Sequence, residues 1–291
     1  MKVILSRKGF DSTAGGYPSP IIDGSELVSF PIPENLDKVV DSYRSVPGSN
    51  YKDHVTQTGM SYDVLLNQLL PKRNPSLVLE KKRIGLDKAY CHNDPQIFSK
   101  ESQATTLKYT GLFGQIGNAL AHLKKEGVCV GDIFLFFGWF RDTKKISERV
   151  YRYIPNTDKH IIWGWFEVGS CKNANQISDA DDIWLRQHPH NFVKDKSIDN
   201  IIYIASDKLT MFPDLPGAGI FKYNKKLVLT KDGMSRSKWD LPRFFKGNIS
   251  CHNAECFKKD YFQSRSRGQE FVVHANKEVL LWLEDIIKTA L

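Results

Sequence analysis

The run Ile133-Phe134-Leu135-Phe136-Phe137, entered from a Gly131-Asp132 turn, puts five large apolar side chains in a row. Successive residues of a strand face opposite sides, so such a run describes a strand buried on both faces. A second apolar and aromatic segment follows at 159–168, Lys-His-Ile-Ile-Trp-Gly-Trp-Phe-Glu-Val, and residues 200–205 and 227–230 read as two further strands. A meander of strands is therefore expected in the middle of the chain. At the amino end, residues 2–6 alternate and branch like a short buried strand, and Leu77-Val78-Leu79 suggests another.

Helical periodicity is found elsewhere. Residues 62–70 carry Val64, Leu65, Leu69 and Leu70 on one side and stop at Pro71. Residues 117–126 are good helix formers closed by Gly127, and 277–288 place Val279, Leu280, Leu283, Ile286 and Ile287 on one face. Periodicity is weak at 34–45. The expected fold class is α+β: a mixed, mainly antiparallel sheet or partial barrel with flanking helices, forming one domain over residues 1–291.

The charge balance, 41 Lys and Arg against 33 Asp and Glu for a net +8, favours a polyanionic partner. Aromatic residues sit beside positive charge in Trp139-Phe140-Arg141, Tyr151-Arg152-Tyr153 and Arg243-Phe244-Phe245-Lys246, a mixture that can stack bases while holding phosphates. No stretch reaches the roughly 18 apolar residues of a membrane span and no apolar leader opens the chain, so a cytoplasmic, monomeric protein is expected. Five scattered cysteines, an odd number, argue for reduced thiols.

The segment from Ser6 to Pro20 is the most unusual in the chain. It sets Arg7, Lys8 and Asp11 among three glycines and two prolines directly after a strand, where a rigid scaffold can present reactive groups; a tight turn built around Asp11 accounts for the same residues. His92-Asn93-Asp94-Pro95 supplies an imidazole and a carboxylate two residues apart, competent as acid and base, and it also reads as an Asx-Pro turn. Gln115, with Asn118 and His122 at helical spacing, could read a base edge through its amide. Two basic, hydroxyl-bearing stretches, Met234-Ser235-Arg236-Ser237-Lys238-Trp239 and Ser264-Arg265-Ser266-Arg267-Gly268-Gln269-Glu270, suit phosphate contacts.

His188-Pro189-His190 and Cys251-His252 with Cys256 invite a metal reading. Zinc usually takes two paired clusters, and no matching second pair is legible, so no metal is expected. P-loop, dinucleotide, serine-hydrolase and zincin motifs are missing from the sequence. The remaining chemistry needs side chains and water alone, with no cofactor; cleavage of a glycosidic bond by carboxylates is such a reaction.

Two resemblances add to this. The order helix, Gly131-Asp132, aromatic strand, then Trp163-Gly164-Trp165-Phe166-Glu167-Val168 resembles the small barrels of the PUA, ASCH and EVE type, which implies a sub-barrel over about 111–230 that closes around a modified or flipped base. Across nearly the whole chain, Ser6-Arg7-Lys8-Gly9-Phe10-Asp11-Ser12, Gly15-Gly16-Tyr17-Pro18-Ser19-Pro20-Ile21, His92-Asn93-Asp94-Pro95, Gly114-Gln115-Ile116-Gly117, Ile162-Trp163-Gly164-Trp165, His188-Pro189-His190, Arg236-Ser237-Lys238-Trp239 and Gly268-Gln269-Glu270-Phe271 resemble the third of the nucleotide-modification-associated domain families of bacteria and phages. That resemblance implies work on hypermodified DNA bases in phage–host conflict. Where the family often shows Asp-Pro-Asp, this chain has Asp94-Pro95-Gln96 and offers one carboxylate.

The combined expectation is a DNA glycosylase that flips a modified base and cuts its N-glycosidic bond, in anti-phage defence; the alternatives are a non-catalytic reader of modified bases and an enzyme that installs the modification. Asp11 is the expected lead carboxylate, with Asp94 or Glu270 as helper. Gln115, Tyr17, Trp139, Trp163 and His92 are the expected base contacts, and Arg7, Lys8, Arg236, Ser237 and Arg267 the expected holders of the DNA backbone.

Overall fold

The apolar run at 133–137 begins a fifteen-residue strand, Ile133–Ser147, that is buried throughout its first half. In the computed structural model, which describes residues 1–97, 109–250, 256–264 and 270–291, this strand is the backbone of the main sheet. The strands used below are β1 (Lys2–Arg7), β2 (Ser19–Ile22), β3 (Gln96–Ile97), β4 (Gly111–Ile116), β5 (Ile133–Ser147), β6 (Lys159–Asn173), β7 (Asn200–Ala205), β8 (Ala218–Ile220) and β9 (Glu270–His274). The helices are α1 (Tyr62–Leu69), α2 (Gly117–Lys125), α3 (Ile183–Gln187) and α4 (Lys277–Ile287).

The strands lie in the order β9-β1-β5-β6-β7-β4-β3, with β2 also on β5 and β8 also on β6. Pairing is antiparallel except that β1 and β2 run parallel to β5. The sheet curls into a half-barrel, and the curl brings β9 back toward β4, where Gln115 on β4 donates to Glu270 on β9. Strands thus come from both ends of the chain as well as from 111–230. An irregularity of register between Ile162 and Gly164 lets β6 bend across β5.

Side-chain alternation divides the core. Phe134, Phe136 and Phe166 interlock with Phe113 and Tyr203 on one face, Phe113 lying 4.9 Å from Phe134. On the other, Phe137 meets Trp239 edge to face at 4.9 Å and Trp239 meets Phe271, while Leu283 and Ile287 of α4 belong to the same apolar cluster. Each fully buried phenyl contributes about 1.5–3 kcal/mol by leaving water, so the aromatic strand also anchors the fold. A smaller cluster forms around Phe10, Phe30, Tyr51 and α1.

Four local readings change. Residues 34–45 hold only a short 3-10 turn, Asp41–Ser45. Residues 227–230 make isolated bridges, Val228 to Ile161 and Thr230 to Trp239, in place of a strand. Gln115 ends up in β4, two residues before the helix begins, so it does not share a helical face with Asn118 and His122. The polar stretch around Glu270 leads into a buried strand, because Phe271, Val272 and Val273 are core residues. Among the described residues no helix is long and apolar enough to cross a membrane.

Candidate active site: a buried polar cluster inside the half-barrel

Arg7 and Lys8 leave the end of β1 in opposite directions, as period-two alternation requires. Lys8 goes to the inner face, its Nζ 4.2 Å from the Phe113 ring centroid. Arg7 goes to the outer face, its guanidinium 5.5 Å from the Phe137 centroid. This split sorts the expected site residues into two places.

On the inner face the centre is Asp94, whose side chain is 1% exposed. Its Oδ1 accepts the Gly114 amide at 2.6 Å, and its Oδ2 lies 3.3 Å from Lys8 Nζ. His188 Nε2 approaches Oδ1 to 3.3 Å without hydrogen-bonding alignment, and His190 Nε2 stands 4.0 Å from Oδ2. Burial works against the charge on Asp94, but the Lys8 ammonium and the two imidazoles outweigh it and hold the carboxyl well below the usual range. Asp94 is thus an ionised carboxylate in an enclosed space.

His92 is tied to Glu34, Nδ1 to Oε2 at 2.6 Å. Burial pulls the imidazole pKa down, and the Glu34 charge and hydrogen bond more than reverse this; Glu34 in turn is pulled below its ordinary value by His92 against the effect of burial. His190 is pushed down to about 3, chiefly by burial, and burial also lowers His188. The His190 ring packs against Gly114, where an added Cβ would fall 2.2 Å from the ring.

Glu270 and Gln115 complete the cluster. Glu270 faces inward because it pairs in register with Ser6, one side-chain period from Lys8. Burial raises its carboxyl, while Lys8 and the Gln115 amide pull the other way. Two carboxyls in one polar cluster are therefore driven in opposite directions.

Asp94 also lines a cavity of about 480 Å³ shared with Trp163, Gln96, Asn93, His54 and Tyr62. Trp163 stacks on Phe136 with centroids 5.6 Å apart. Its Nε1 and the Gln96 Oε1 are buried and have no hydrogen-bond partner among the described residues. One donor and one acceptor are thus available at the cavity wall.

The outer face carries a second cavity of about 440 Å³, lined by Arg7, Asp11, Trp139, His160, Arg236 and Ser237 among others. Arg236 lies 3.8 Å above the Trp139 ring, a close cation–π contact. Asp11 Oδ1 accepts from Thr13 N at 2.6 Å, Thr13 Oγ1 at 2.8 Å and Ala14 N at 2.8 Å, closing the loop on itself. Burial brings Arg7 down to about 10, opposed by Asp11 and assisted by Arg236.

The residues expected to act together with Asp11 therefore fall at two cavities. Asp11, Arg7, Trp139, Arg236 and Ser237 share the outer cavity. Asp94 and Trp163 share the inner one, and Lys8, His92, Gln115 and Glu270 belong to the polar cluster beside it. Tyr17 packs on the smaller apolar cluster and lines neither cavity. Arg267, Gln269 and Cys251-His252 lie outside the described residues. Sequence reasoning missed Glu34 and Asn200, which orient the histidines, and passed over His188 and His190, whose Pro-separated pair was the one visible signal.

A family model described as nucleotide modification associated domain 3 matches residues 2–274. The chain belongs to that family. Neither the curated proteins nor the solved structures contain a match. Membership associates the chain with nucleotide modification and a nucleic-acid-related substrate; the family assignment covers β1 to β9 and so both cavities.

Proposed function

We propose that the chain hydrolyses the N-glycosidic bond of a modified base in DNA after the base has been turned out of the helix into the inner cavity. The observation that carries this reading is the ionised, enclosed Asp94 at the wall of a cavity of about 480 Å³. That is within the roughly 300–1,000 Å³ typical of small-ligand sites.

Breaking the bond between the sugar and the base nitrogen develops positive charge on the sugar, which an ionised carboxylate stabilises. Asp94 takes that role, kept charged by Lys8 and kept in place by the Gly114 amide. The departing base needs a proton and the sugar needs a hydroxyl, both from one water overall. Glu270, whose carboxyl burial makes easier to protonate, is the proton donor in this scheme. Trp163 Nε1–H and Gln96 Oε1 offer a donor and an acceptor to the base edge. Arg7, Arg236 and Ser237 at the outer cavity suit the flanking phosphates.

The test uses the purified chain and phage DNA carrying hypermodified bases, with unmodified DNA as control. Expected are alkali-labile strand breaks and a free modified base by mass spectrometry, both lost in Asp94→Asn. A gel shift with intact DNA after alkali would replace excision by reading alone; activity only on mononucleotides would point to an enzyme that builds the modification.

A further inference from the structure

The two histidines nearest Asp94 are held in a particular protonation state by neighbours that can only accept. Glu34 Oε2 lies 2.6 Å from His92 Nδ1, and a carboxylate oxygen at that distance accepts while Nδ1 donates. Asn200 uses its amide nitrogen to donate to the His190 carbonyl at 2.8 Å, so the atom 2.6 Å from His190 Nδ1 is the amide oxygen, an acceptor. His190 Nδ1 therefore carries its hydrogen too. With Nδ1 donating, Nε2 is the nitrogen each ring can offer as a lone pair, an incoming ion displacing any proton it carries. An imidazole that donates its distal N–H to a carboxylate or carbonyl-type oxygen is the arrangement that surrounds metal-bound histidines.

Ligand atoms of three residues converge. One ligand atom each from His92, Asp94 and His190 lies within 4.8 Å of the others. His188 is wired the other way: its Nδ1 accepts the His190 amide at 3.3 Å, which leaves its Nε2 to carry the hydrogen beside Asp94. With its proton on the nitrogen that faces Asp94, His188 is no ligand.

The geometry points to a site for one first-row divalent transition ion, held by His92 Nε2, His190 Nε2 and Asp94 Oδ2, with its remaining coordination positions open to water or substrate. Two imidazoles and one carboxylate on a single side are a ligand set that suits iron, zinc and their neighbours better than calcium or magnesium, which prefer oxygen alone. The loop residue His92 and the Pro-separated His190 come from segments almost a hundred residues apart, which is why the pair was invisible as a spacing motif. Lys8 Nζ lies 3.3 Å from Asp94 Oδ2, so an ion that takes Oδ2 competes with this ammonium. An ion there would lower the pKa of a bound water and place a Lewis acid beside the inner cavity.

Ion binding is separable from base excision and is read out on protein without DNA. The metal-stripped chain is titrated with Zn²⁺ by calorimetry and with Co²⁺ by visible absorption. One ion per chain is expected, with the Co²⁺ spectrum showing nitrogen ligation. His92→Ala and His190→Gln should each weaken Zn²⁺ binding at least about tenfold, and Asn200→Leu, which frees the His190 ring, about 10- to 100-fold. Lys8→Met removes a cation that competes for Oδ2, so Zn²⁺ should bind it more tightly and raise its Tm by more than that of the parent. Calorimetric silence, or binding that the two histidine variants leave unchanged, overturns the site; so does weaker binding by a folded Lys8→Met chain. Base release that survives stripping of the metal would leave the excision reading standing without the ion.

Discussion

Gln115 and Glu270 stand 155 residues apart in the chain and meet side chain to side chain inside the half-barrel. The contact links a strand near one edge of the curled sheet to the strand at the other, and it satisfies one oxygen of a carboxyl that burial disfavours as an anion. Gln115→Leu keeps the bulk but removes the donor. It should cost about 1–3 kcal/mol of unfolding free energy, the penalty of an unpaired buried polar group, measured by urea denaturation at neutral pH. A double variant with Glu270→Leu should recover much of that loss; equal and additive losses would show that the pair is not coupled.

Asp11 and Asp94 discriminate between the two cavities. Asp11→Asn retains Oδ1 and so keeps the turn to Thr13 and Ala14 closed, while removing a negative charge felt by Arg7 and Arg236. It should leave base release intact and bind DNA somewhat more tightly. Asp94→Asn should abolish release, because Lys8 and His188 then surround a neutral amide. Single-turnover assays on the same DNA decide the matter, and the opposite pattern would move the chemistry to the outer face.

Arg236 stacks on Trp139 at the outer cavity, with its guanidinium available to phosphate. Arg236→Ala should weaken DNA binding across all sequences and reduce the slope of log affinity against log salt by about 1. Filter binding from low to moderate salt measures this. A variant with the parental slope would remove Arg236 from the phosphate contacts.

His160 is buried and held neutral well below its ordinary pKa, first by desolvation and then by Arg7 and Arg236, while its Nδ1 accepts from Trp239 Nε1 at 3.0 Å. The unfolded chain takes up a proton here near pH ~6.5, and the folded chain does not until much lower. Stability at this position is therefore present above that value and lost as pH falls below it, by up to about 1.4 kcal/mol per pH unit. His160→Gln keeps a side-chain acceptor and cannot protonate in this range. Its urea stability should fall less steeply than the parent's between about pH 6.5 and 5; parallel curves would mean that His160 titrates alike in both states.

How much of this was legible beforehand follows from the range of the forces involved. The buried strand at 133–137 and the helices near 62–70, 117–126 and 277–288 were readable because period and apolarity are properties of neighbouring residues. The turn role of Asp11 was readable for the same reason. Even the parting of Arg7 from Lys8 was implicit in strand alternation, once β1 was known to continue through Arg7.

What the chain alone could not disclose is which distant segments share an enclosed space. The parallel docking of β1 on β5 sends Lys8 toward Asp94, and the closing curl brings Gln115 to Glu270. His92 and His190 acquire their common orientation only from Glu34 and Asn200, two acceptors that no local spacing connects to them. Burial then alters the charges: the same carboxyl chemistry is driven to the anion at Asp94 and away from it at Glu270. Local pattern determined the elements, and the exclusion of water by their packing decided which polar groups became a site.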